Sequence, residues 1–246
     1  MSIPKIIHYC WFGGGAISPG NRKCMESWKK YCPDYRIIEW NDQNFDISTN
    51  RYAQQAYEAK KYAFVSDYVR LAVLYEYGGI YLDTDVELVR PLDELLELPG
   101  FMGFQTNNEV ATGLGFGARK GNSVVQALLR DYDALDFLKA DGSADLTPCP
   151  ERNTRVLQAL GVRKDGTRQS IAEMEIFPAE YFCPMDFYSR ELRVTPKTYS
   201  IHRYAESWKP KPSAVSRILQ RLLKKHYYTW YCPLRGRIEG RLRKRT

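Results

Sequence analysis

Two aspartates in the segment GGIYLDTDVEL, residues 78–88, have the type and spacing that best suit chemistry in this chain. Asp83 and Asp85 stand two residues apart at the end of a short apolar run, where a strand would end and the backbone would turn. Both carboxylates can then reach one point at the edge of a sheet. Hard oxygen ligands of this kind suit Mg²⁺ or Mn²⁺, which can bridge a diphosphate. A D-x-D pair alone is weak evidence, because a capping or surface pair has the same spacing.

A second pair of charged residues, Asp67 and Arg70, interrupts the apolar stretch that precedes the D-x-D segment. Three residues apart on a helix, the two side chains share one face. One interpretation is a buried ion pair that only holds the helix in place. The other places both side chains in a ligand pocket, with Arg70 against a phosphate and Asp67 against a sugar hydroxyl.

Trp11 is the aromatic residue best placed to stack on a ligand, because it ends an apolar run just before three glycines. An indole ring at the carboxyl end of a strand can stack on a nucleobase, although a single Trp also packs well in a core. His8, within the same run, is interpreted as a core histidine.

The elements that must position these side chains follow an α/β order. Apolar runs predict strands at residues 5–12, 35–40 and 80–83. The segments between them predict helices at residues 21–31 and 52–77, the second in two pieces and ended by Gly78-Gly79. Later patterns predict a strand at 101–105, a helix at 123–132 and short strands near Ile176 and Tyr199. This order predicts a single α/β domain with a mostly parallel sheet, whose ligands lie at the carboxyl ends of the strands.

Two blocks of the sequence resemble one family of sugar transferases. The blocks are IPKIIHYCWFGG at residues 3–14 and AFVSDYVRLAVLYEYGGIYLDTDVEL at residues 63–88, together 38 residues. They are similar in identity, spacing and order to the D-x-D retaining glycosyltransferases that include capsular polysaccharide enzymes and yeast outer-chain mannosyltransferases (family 32-like). A more distant similarity links them to the catalytic domains of glucosylating bacterial toxins. The resemblance implies a GT-A-like fold, a nucleotide-sugar donor, a divalent metal and transfer with retention of anomeric configuration.

The resemblance also implies roles for individual residues. Trp11 would stack on the base of the donor, whereas Asp67 and Arg70 would bind the donor sugar and its diphosphate. Tyr81 would contact the phosphates or the ribose. Together with the metal, Arg70 would neutralise the charge that develops on the departing diphosphate. The implied catalytic residues are Asp67, Arg70, Asp83 and Asp85.

Metal binding is implied for the two D-x-D aspartates and for a late histidine. Asp85 would ligate Mn²⁺ or Mg²⁺ directly, while Asp83 would bind the ribose or sugar and contact the metal through water. His202 lies in SIHRYAESWKP, which resembles the family's late His followed by Ser-Trp, and it would supply a third metal ligand or a diphosphate contact. Ser207 and Trp208 would fold over the donor. A purely structural role for His202 and Trp208 is the alternative.

The sequence specifies the donor base and the acceptor less closely than it specifies the metal and diphosphate contacts. Asn107 and Asn108 could touch sugar hydroxyls, but the same pair is typical of a turn. Residues 147–157 predict a loop and helix start that suit an acceptor. The capsule-like resemblance favours a UDP-sugar over the alternative, GDP-mannose, and a glycan acceptor attached to a lipid.

The C-terminal residues differ in charge from the rest of the chain. The whole chain is +7, with 36 Lys or Arg against 29 Asp or Glu. Residues 209–246 hold twelve of these basic residues and one acid, Glu239, so this tail is +11 and residues 1–208 are −4. Its apolar side chains fall on one helical face, namely Val215, Ile218, Leu219, Leu222 and Leu223. The pattern predicts a catalytic domain at 1–208 and a basic amphipathic tail on an anionic membrane, with packing on the domain as the alternative.

Composition excludes several classes of protein. Of 246 residues, 44% are hydrophobic and 26% are charged, which excludes global disorder. No uncharged apolar run approaches the roughly 18 residues that span a bilayer. The apolar run near the N-terminus is shorter than in a signal peptide. The six cysteines show no metal-type spacing, so we expect reduced thiols and a cytoplasmic protein. The basic tail predicts that this protein is peripheral on the inner face of the cell membrane.

Three other functions fit the sequence less well. A haloacid dehalogenase-type phosphatase also opens with a strand and D-x-D, but Glu87 stands where that site needs Thr or Val. A nucleic-acid binder that uses the tail lacks any upstream motif, and residues 1–208 are acidic, so they would repel a phosphate backbone. A sugar-binding protein without turnover is disfavoured by the intact set of four charged residues, and an assay separates it from an enzyme.

Overall fold

The computed structural model describes residues 2–187 and 189–205, and this part of the chain contains six α-helices and ten β-strands. The helices are α1 (Pro19–Tyr31), α2 (Arg51–Glu58), α3 (Tyr62–Tyr77), α4 (Ser123–Asp133), α5 (Cys149–Ala159) and α6 (Ala179–Phe182). The strands are β1 (Ile6–Cys10), β2 (Arg36–Trp40), β3 (Gly79–Tyr81), β4 (Val86–Leu88), β5 (Gly100–Phe104), β6 (Val110–Ala111), β7 (Phe116–Ala118), β8 (Gln169–Ile171), β9 (Met174–Phe177) and β10 (Ser200–His202).

Eight of these strands form one central sheet in the order β2-β1-β3-β7-β5-β9-β8, with β6 paired to β5. The pairs β1–β2, β1–β3 and β5–β9 are parallel. The pairs β3–β7, β5–β7, β5–β6 and β8–β9 are antiparallel. Five of the eight strands (β1, β2, β3, β5 and β9) therefore run in the same direction. The predicted α/β class with a mostly parallel sheet is confirmed.

The parallel strands β1, β2 and β3 end at the same edge of the sheet. Ile7 of β1 lies beside Ile37 of β2 on one side and Ile80 of β3 on the other. The residues that follow these strands therefore meet at one edge, as ligand-binding residues do in open α/β sheets. This edge carries Trp11 after β1 and the two D-x-D aspartates after β3.

Helix α3 delivers the chain sharply into β3. Nine of its sixteen residues are buried, because the helix is enclosed between the sheet and the helices α2 and α4. It ends at Gly78, whose φ of +66° is a conformation that favours glycine. A Cβ atom on Gly78 would lie 2.7 Å from the backbone nitrogen of Lys120, so there is also no room for a side chain. The Gly-Gly helix stop predicted from the sequence is confirmed.

The hydrophobic core has two layers, one on each face of the sheet. Ile7 and Ile80 pack with Trp28 of α1 on one face. Tyr81, the next residue along β3, packs with the side chains of α3 on the other face. Because neighbouring residues of a strand point to opposite faces, β3 is anchored from both sides just before the D-x-D segment.

A second, two-stranded sheet joins two distant parts of the chain. β4, directly after the D-x-D segment, pairs antiparallel with β10, and His202 lies opposite Val86. This pairing brings the late histidine to the D-x-D segment across more than a hundred residues of sequence.

The five cysteines in the described part of the chain are buried and form no disulfide, as expected for reduced thiols: Cys10, Cys24, Cys32, Cys149 and Cys183. Among the helices of the same residues, none is both long enough and apolar enough to pass through a bilayer. The basic tail lies outside the described residues, so its helical form and the boundary at residue 209 stay predictions.

Candidate functional site

The D-x-D turn, residues 83–86, follows β3 at the carboxyl edge of the sheet. The N–H of Val86 donates to the carbonyl of Asp83 at 3.0 Å, which closes the turn. The N–H of Asp83 donates to the carbonyl of Gly113 at 3.2 Å, so the loop before β7 fixes the start of the turn. Oxygens of Asp83 and Asp85 and a ring nitrogen of His202 all lie within 4.8 Å of one another. The turn expected from the sequence is present, and it gathers three side chains of metal-ligand type.

Asp83 is held by one side chain from α3 and by one from β3, the strand that precedes it. Arg70 Nη2 lies 3.1 Å from its Oδ1, and the Tyr81 hydroxyl donates to the same oxygen at 3.0 Å. A Cβ atom on Gly113 would lie 2.0 Å from its other carboxylate oxygen, so only a glycine fits there. Burial raises the pKa of Asp83 above its ordinary value, against the opposing effect of Arg70. Its position is therefore fixed on three sides.

Asp85 is bound by the last residue of β10 and by the segment that follows this strand. His202 Nε2 lies 3.2 Å from Asp85 Oδ1, and the N–H of Ala205 donates to Oδ2 at 2.7 Å. Burial opposes ionisation of Asp85, but the attraction of His202 and these hydrogen bonds outweigh it and lower its pKa to about 2. Burial likewise opposes protonation of His202, yet Asp85 raises its pKa above the ordinary value. Asp85 is therefore ionised at neutral pH, and His202 Nδ1 is a buried nitrogen without a hydrogen-bond partner among residues 2–187 and 189–205.

Asp67 and Arg70 form a buried ion pair that continues to Asp83. Arg70 Nη1 lies 3.1 Å from Asp67 Oδ1, and both side chains are about nine-tenths buried. Burial raises the pKa of Asp67 to about 6, although Arg70 opposes the shift. The guanidinium of Arg70 also lies 4.9 Å from the centre of the Tyr81 ring. The structural alternative, a buried pair, is therefore real, and the same pair touches the D-x-D turn.

Tyr81 lies beside the D-x-D turn and contacts the first of its two aspartates. It is nearly fully buried, and its hydroxyl is already donated to Asp83. In the described structure it supports Asp83 and Arg70, so a contact with ribose or phosphate stays a prediction.

A cluster of three buried polar side chains around Arg70 did not emerge from the sequence. Thr112, from the loop after β6, and Cys149, from the start of α5, lie against Nη1 of Arg70, whereas Asp83 lies against Nη2. Asn153, also of α5, contacts both Thr112 and Cys149. Thr112 Oγ1 lies 3.3 Å from Cys149 Sγ, and Asn153 donates to both. Burial raises the pKa of Cys149 to about 12, so it is a neutral thiol. Their spacing along the chain gave no signal, because Thr112 and Asn153 are 41 residues apart.

Trp11 lines a cleft of about 380 Å³ beside the ends of β1 and β2. The cleft is also lined by two carboxylates, Glu39 and Asp42. Asp42 accepts the N–H of Gly13 at 3.0 Å. Trp11 is half-buried, and its ring N–H donates to the carbonyl of Gly15. The ring is thus partly accessible at the same sheet edge as the D-x-D turn, which agrees with the stacking role without testing it.

The other residues singled out from the sequence fall into three groups. Asn107 and Asn108 form a turn between β5 and β6, where Asn107 accepts the N–H of Glu109 at 3.1 Å. Residues 147–157 contain the start of α5, as predicted, and so contribute Cys149 and Asn153. Ser207 and Trp208 lie outside the described residues.

His8 lies in the core beneath the site, as interpreted from the sequence. It is fully buried, its Nε2 lies 2.9 Å from the carbonyl of Gly78, and Trp40 donates to its Nδ1 at 3.0 Å. Because Nδ1 accepts, Nε2 carries the proton and donates to Gly78. Burial lowers the pKa of His8 to about 4, so it is neutral.

The site and the fold together define an α/β protein with a D-x-D turn at the carboxyl edge of its sheet. Residues 18–101 match the family described as "Glycosyltransferase sugar-binding region containing DXD motif". The match covers about a third of the chain, and it confirms the resemblance noted from the sequence.

Curated proteins with the same region include transferases from yeast and human. The chain is 30% identical to inositol phosphoceramide mannosyltransferase 3 of Schizosaccharomyces pombe, over 55% of this chain and 39% of that protein. It is 28% identical to human alpha-1,4-N-acetylglucosaminyltransferase, over 60% of this chain and 38% of that protein. The chain thus spans about two fifths of the length of each. Among solved structures, PaToxG glycosyltransferase aligns with a TM-score of 0.48 at 22% identity, covering 64% of this chain and 70% of that one.

Proposed function

We propose that the protein is a metal-dependent retaining glycosyltransferase, which moves a hexose or N-acetylhexosamine from a nucleotide-sugar to a glycan acceptor. The observation that carries this proposal is the convergence of Asp83, Asp85 and His202 beside the Asp67–Arg70 pair. A diphosphate needs cations at its oxygens and a hexose needs hydrogen-bond partners, and this edge of the sheet offers both. The match of residues 18–101 to the glycosyltransferase family described above supports the same class of reaction.

The three side chains at the D-x-D turn fit a divalent cation. Asp85, ionised and close to His202, is the direct ligand that we propose, with Asp83 in contact through water and His202 as the third ligand. A mixed set of carboxylates and an imidazole suits Mn²⁺ better than Mg²⁺, which prefers oxygen ligands alone. When bound, the cation would offset the negative charge that develops on the departing diphosphate.

Arg70 supplies the fixed positive charge on the protein side of the same reaction. Because Asp67 and Asp83 both hold it, its guanidinium does not have to reorganise when charge develops on the diphosphate. Asp67, a buried carboxylate, accepts a hydroxyl of the donor sugar. A retaining reaction of this kind needs no carboxylate nucleophile, so none is assigned.

The donor base has two candidates. The capsule-like resemblance favours uracil, and hence a UDP-sugar. A GDP-sugar is the second candidate, because Glu39 and Asp42 line the cleft beside Trp11. Guanine presents two adjacent N–H donors to a carboxylate, whereas uracil presents one N–H between two carbonyls. The relatives named as mannosyltransferases are compatible with this second candidate.

For the acceptor and location, we propose a lipid-linked glycan met at an anionic membrane, with the basic tail as the membrane contact. One relative is named for its action on inositol phosphoceramide, a lipid that carries a sugar-like headgroup. In a bacterial-type cell this would place the enzyme on the inner face of the membrane, in the synthesis of a capsule or similar polysaccharide.

The proposed function is tested by a donor screen with the full chain. UDP- and GDP-sugars are offered with and without Mn²⁺, and nucleotide release is followed without an acceptor. We expect slow, Mn²⁺-dependent hydrolysis of one donor. Tight binding of UDP with no binding of GDP selects uracil, and the reverse selects guanine. Release of nucleotide from no donor, with no binding of either nucleotide, would contradict the proposal.

A further inference from the structure

Helix α1 contacts the chain on the far side of the D-x-D turn through three polar side chains. Asn21 Nδ2 donates to Thr84 Oγ1 at 2.9 Å, and Trp28 Nε1 donates to the carbonyl of Val86 at 2.7 Å. The N–H of Leu88 donates to Ser27 Oγ at 2.8 Å. These contacts fall on alternate residues of the turn and of β4, so one side of this segment is bonded to α1 throughout.

The Asn21–Thr84 hydrogen bond is the contact that reaches between the two aspartates. Both side chains are buried, at 3% and 8% exposure. Thr84 is the middle residue of D-T-D. A contact with its side chain therefore acts on the turn between the two aspartates without involving either carboxylate. A buried hydrogen bond of this kind lowers the freedom of the turn without occupying a carboxylate.

Ser18 fixes the orientation of Asn21. As the N-cap of α1, Ser18 accepts the N–H of Asn21 through its hydroxyl oxygen at 3.1 Å. The same hydroxyl donates to Asn21 Oδ1 at 3.0 Å. With Oδ1 engaged as an acceptor, the amide nitrogen of Asn21 is directed to Thr84. The direction of the contact is therefore built into the start of the helix.

The strand β4 links this side of the site to His202. β4 follows the turn and is bonded to Trp28 and Ser27, and it pairs with β10, whose last residue is His202. Helix α1, the D-x-D turn, β4 and β10 thus form a continuous structure on one side of the site. Asp67 and Arg70 approach from α3 on the other side. Within this structure, the Asn21–Thr84 hydrogen bond is the contact that lies between the two aspartates.

We propose that Asn21 is a positioning residue, which acts through Thr84 to set the separation of the Asp83 and Asp85 carboxylates for a divalent cation. The inference rests on the proposed metal-dependent function and concerns the geometry of that site. Metal affinity depends on ligands held within a few tenths of an ångström. Groups that orient ligands from behind change affinity about 10- to 100-fold when they are removed.

The test is Mn²⁺ binding to the full chain, followed by the loss of the electron paramagnetic resonance signal of free aqueous Mn²⁺. Two variants remove the contact from either end, Asn21→Ala and Thr84→Val, the second nearly isosteric. We expect each to weaken Mn²⁺ binding about 10-fold. The double variant should bind Mn²⁺ no more weakly than either single variant, because each substitution removes the same hydrogen bond.

Ser27→Ala is the matched control. It removes a hydrogen bond between α1 and the same segment, but at Leu88, three residues beyond Asp85. We expect a similar fall in melting temperature and unchanged Mn²⁺ affinity. If Asn21→Ala does not fold, Thr84→Val decides alone.

Three results would overturn the inference, and they differ in meaning. Wild-type Mn²⁺ affinity in both Asn21→Ala and Thr84→Val would remove the positioning role and leave the metal site standing. No Mn²⁺ binding by the unaltered chain would remove the metal site itself, and the positioning role with it. Equal weakening by Ser27→Ala would reduce the effect to general destabilisation and also count against Asn21.

Discussion

At the scale of single residues, the site concentrates charge that burial makes costly. Asp67, Arg70 and Asp83 form one buried chain of ion pairs, and Asp85 with His202 forms a second pair beside it. Buried ion pairs of this kind contribute little net stability, because desolvation offsets their attraction. Their presence in this chain is therefore better explained by a ligand that they bind than by the fold that they hold.

Asp67→Asn should raise the free energy of unfolding at pH 8 while weakening donor binding. Burial raises the pKa of Asp67 from 3.8 to about 6, which corresponds to roughly 3 kcal/mol that ionisation costs the folded state. As pH rises from 4 to 6, the unfolded chain loses this proton before the folded chain does, so the wild type loses stability over that range. The gain of the variant should be small at pH 4 and complete above pH 6.

Urea unfolding of wild type and Asp67→Asn at pH 4, 6 and 8 measures this difference directly. Asp93→Asn, at an exposed aspartate paired with Lys5, is the matched control for the removal of one carboxylate. A variant that is less stable than wild type at pH 8 would show that the Asp67–Arg70 pair is mainly structural.

The residues of the site could be predicted from the sequence only where they lie close together in it. Asp83 and Asp85 share a turn, and Asp67 and Arg70 share a helix face, so local spacing was informative. His202 was reached through the resemblance to a known family, since its neighbourhood depends on the β4–β10 pairing. Thr112, Cys149 and Asn153 carry no local pattern that links them to Arg70.

At the scale of elements, the first half of the fold was predictable, whereas the second half was predictable only in part. The strands β5, β9 and β10 and the helix α4 lie where the sequence predicted them, at 101–105, near Ile176, near Tyr199 and at 123–132. The helix predicted at 21–31 is α1 (Pro19–Tyr31), and the second piece of 52–77 is α3 (Tyr62–Tyr77). Apolar periodicity and glycine stops mark these elements locally. The pairing of β7 with β3 and the β4–β10 sheet depend on partners far along the chain, which short windows of sequence do not contain.

His8 shows how a buried polar side chain ties such elements together. It joins β1 to the end of α3 through Gly78 and to β2 through Trp40. His8→Leu leaves both partners buried without a hydrogen bond, so we expect a loss of roughly 2–4 kcal/mol in the free energy of unfolding at pH 7. Chemical unfolding measures it.

The pH dependence of the same variant provides a second readout. The pKa of His8 is lowered to about 4 in the folded chain, below its ordinary value of 6.5. The wild type therefore loses stability as pH falls from 6.5 to 4, because the unfolded chain takes up this proton first. The difference between wild type and His8→Leu should shrink over that range. A difference that stays constant or grows would contradict a neutral His8 that accepts from Trp40.

At the scale of the whole molecule, the net charge of +7 describes neither of its parts. Residues 1–208 are −4 and residues 209–246 are +11. The acidic part contains the aspartates of the site, and the basic part has the pattern of a membrane-surface helix. The charge separation is therefore explained if one part holds the ligands and the other holds the protein at a surface.

Removal of residues 209–246 should abolish binding to anionic vesicles and leave nucleotide binding in place. Vesicle sedimentation with and without phosphatidylserine, at low and high salt, measures the electrostatic part, which salt should weaken. A matched control replaces the lysines and arginines of the tail by glutamine and keeps its apolar face. Unfolding or precipitation of the shortened chain would instead support packing of the tail on the catalytic domain.

The central claim is that Asp85 holds a divalent cation for transfer from a nucleotide-sugar, and one measurement tests it most directly. The rate of nucleotide release from the preferred donor is compared in Mn²⁺ and in EDTA for wild type, Asp85→Asn and the exposed control Asp93→Asn. We expect wild type and Asp93→Asn to be active only with Mn²⁺, and Asp85→Asn to be at least about 100-fold slower while still folded. Full activity in EDTA, or in Asp85→Asn, would contradict the account.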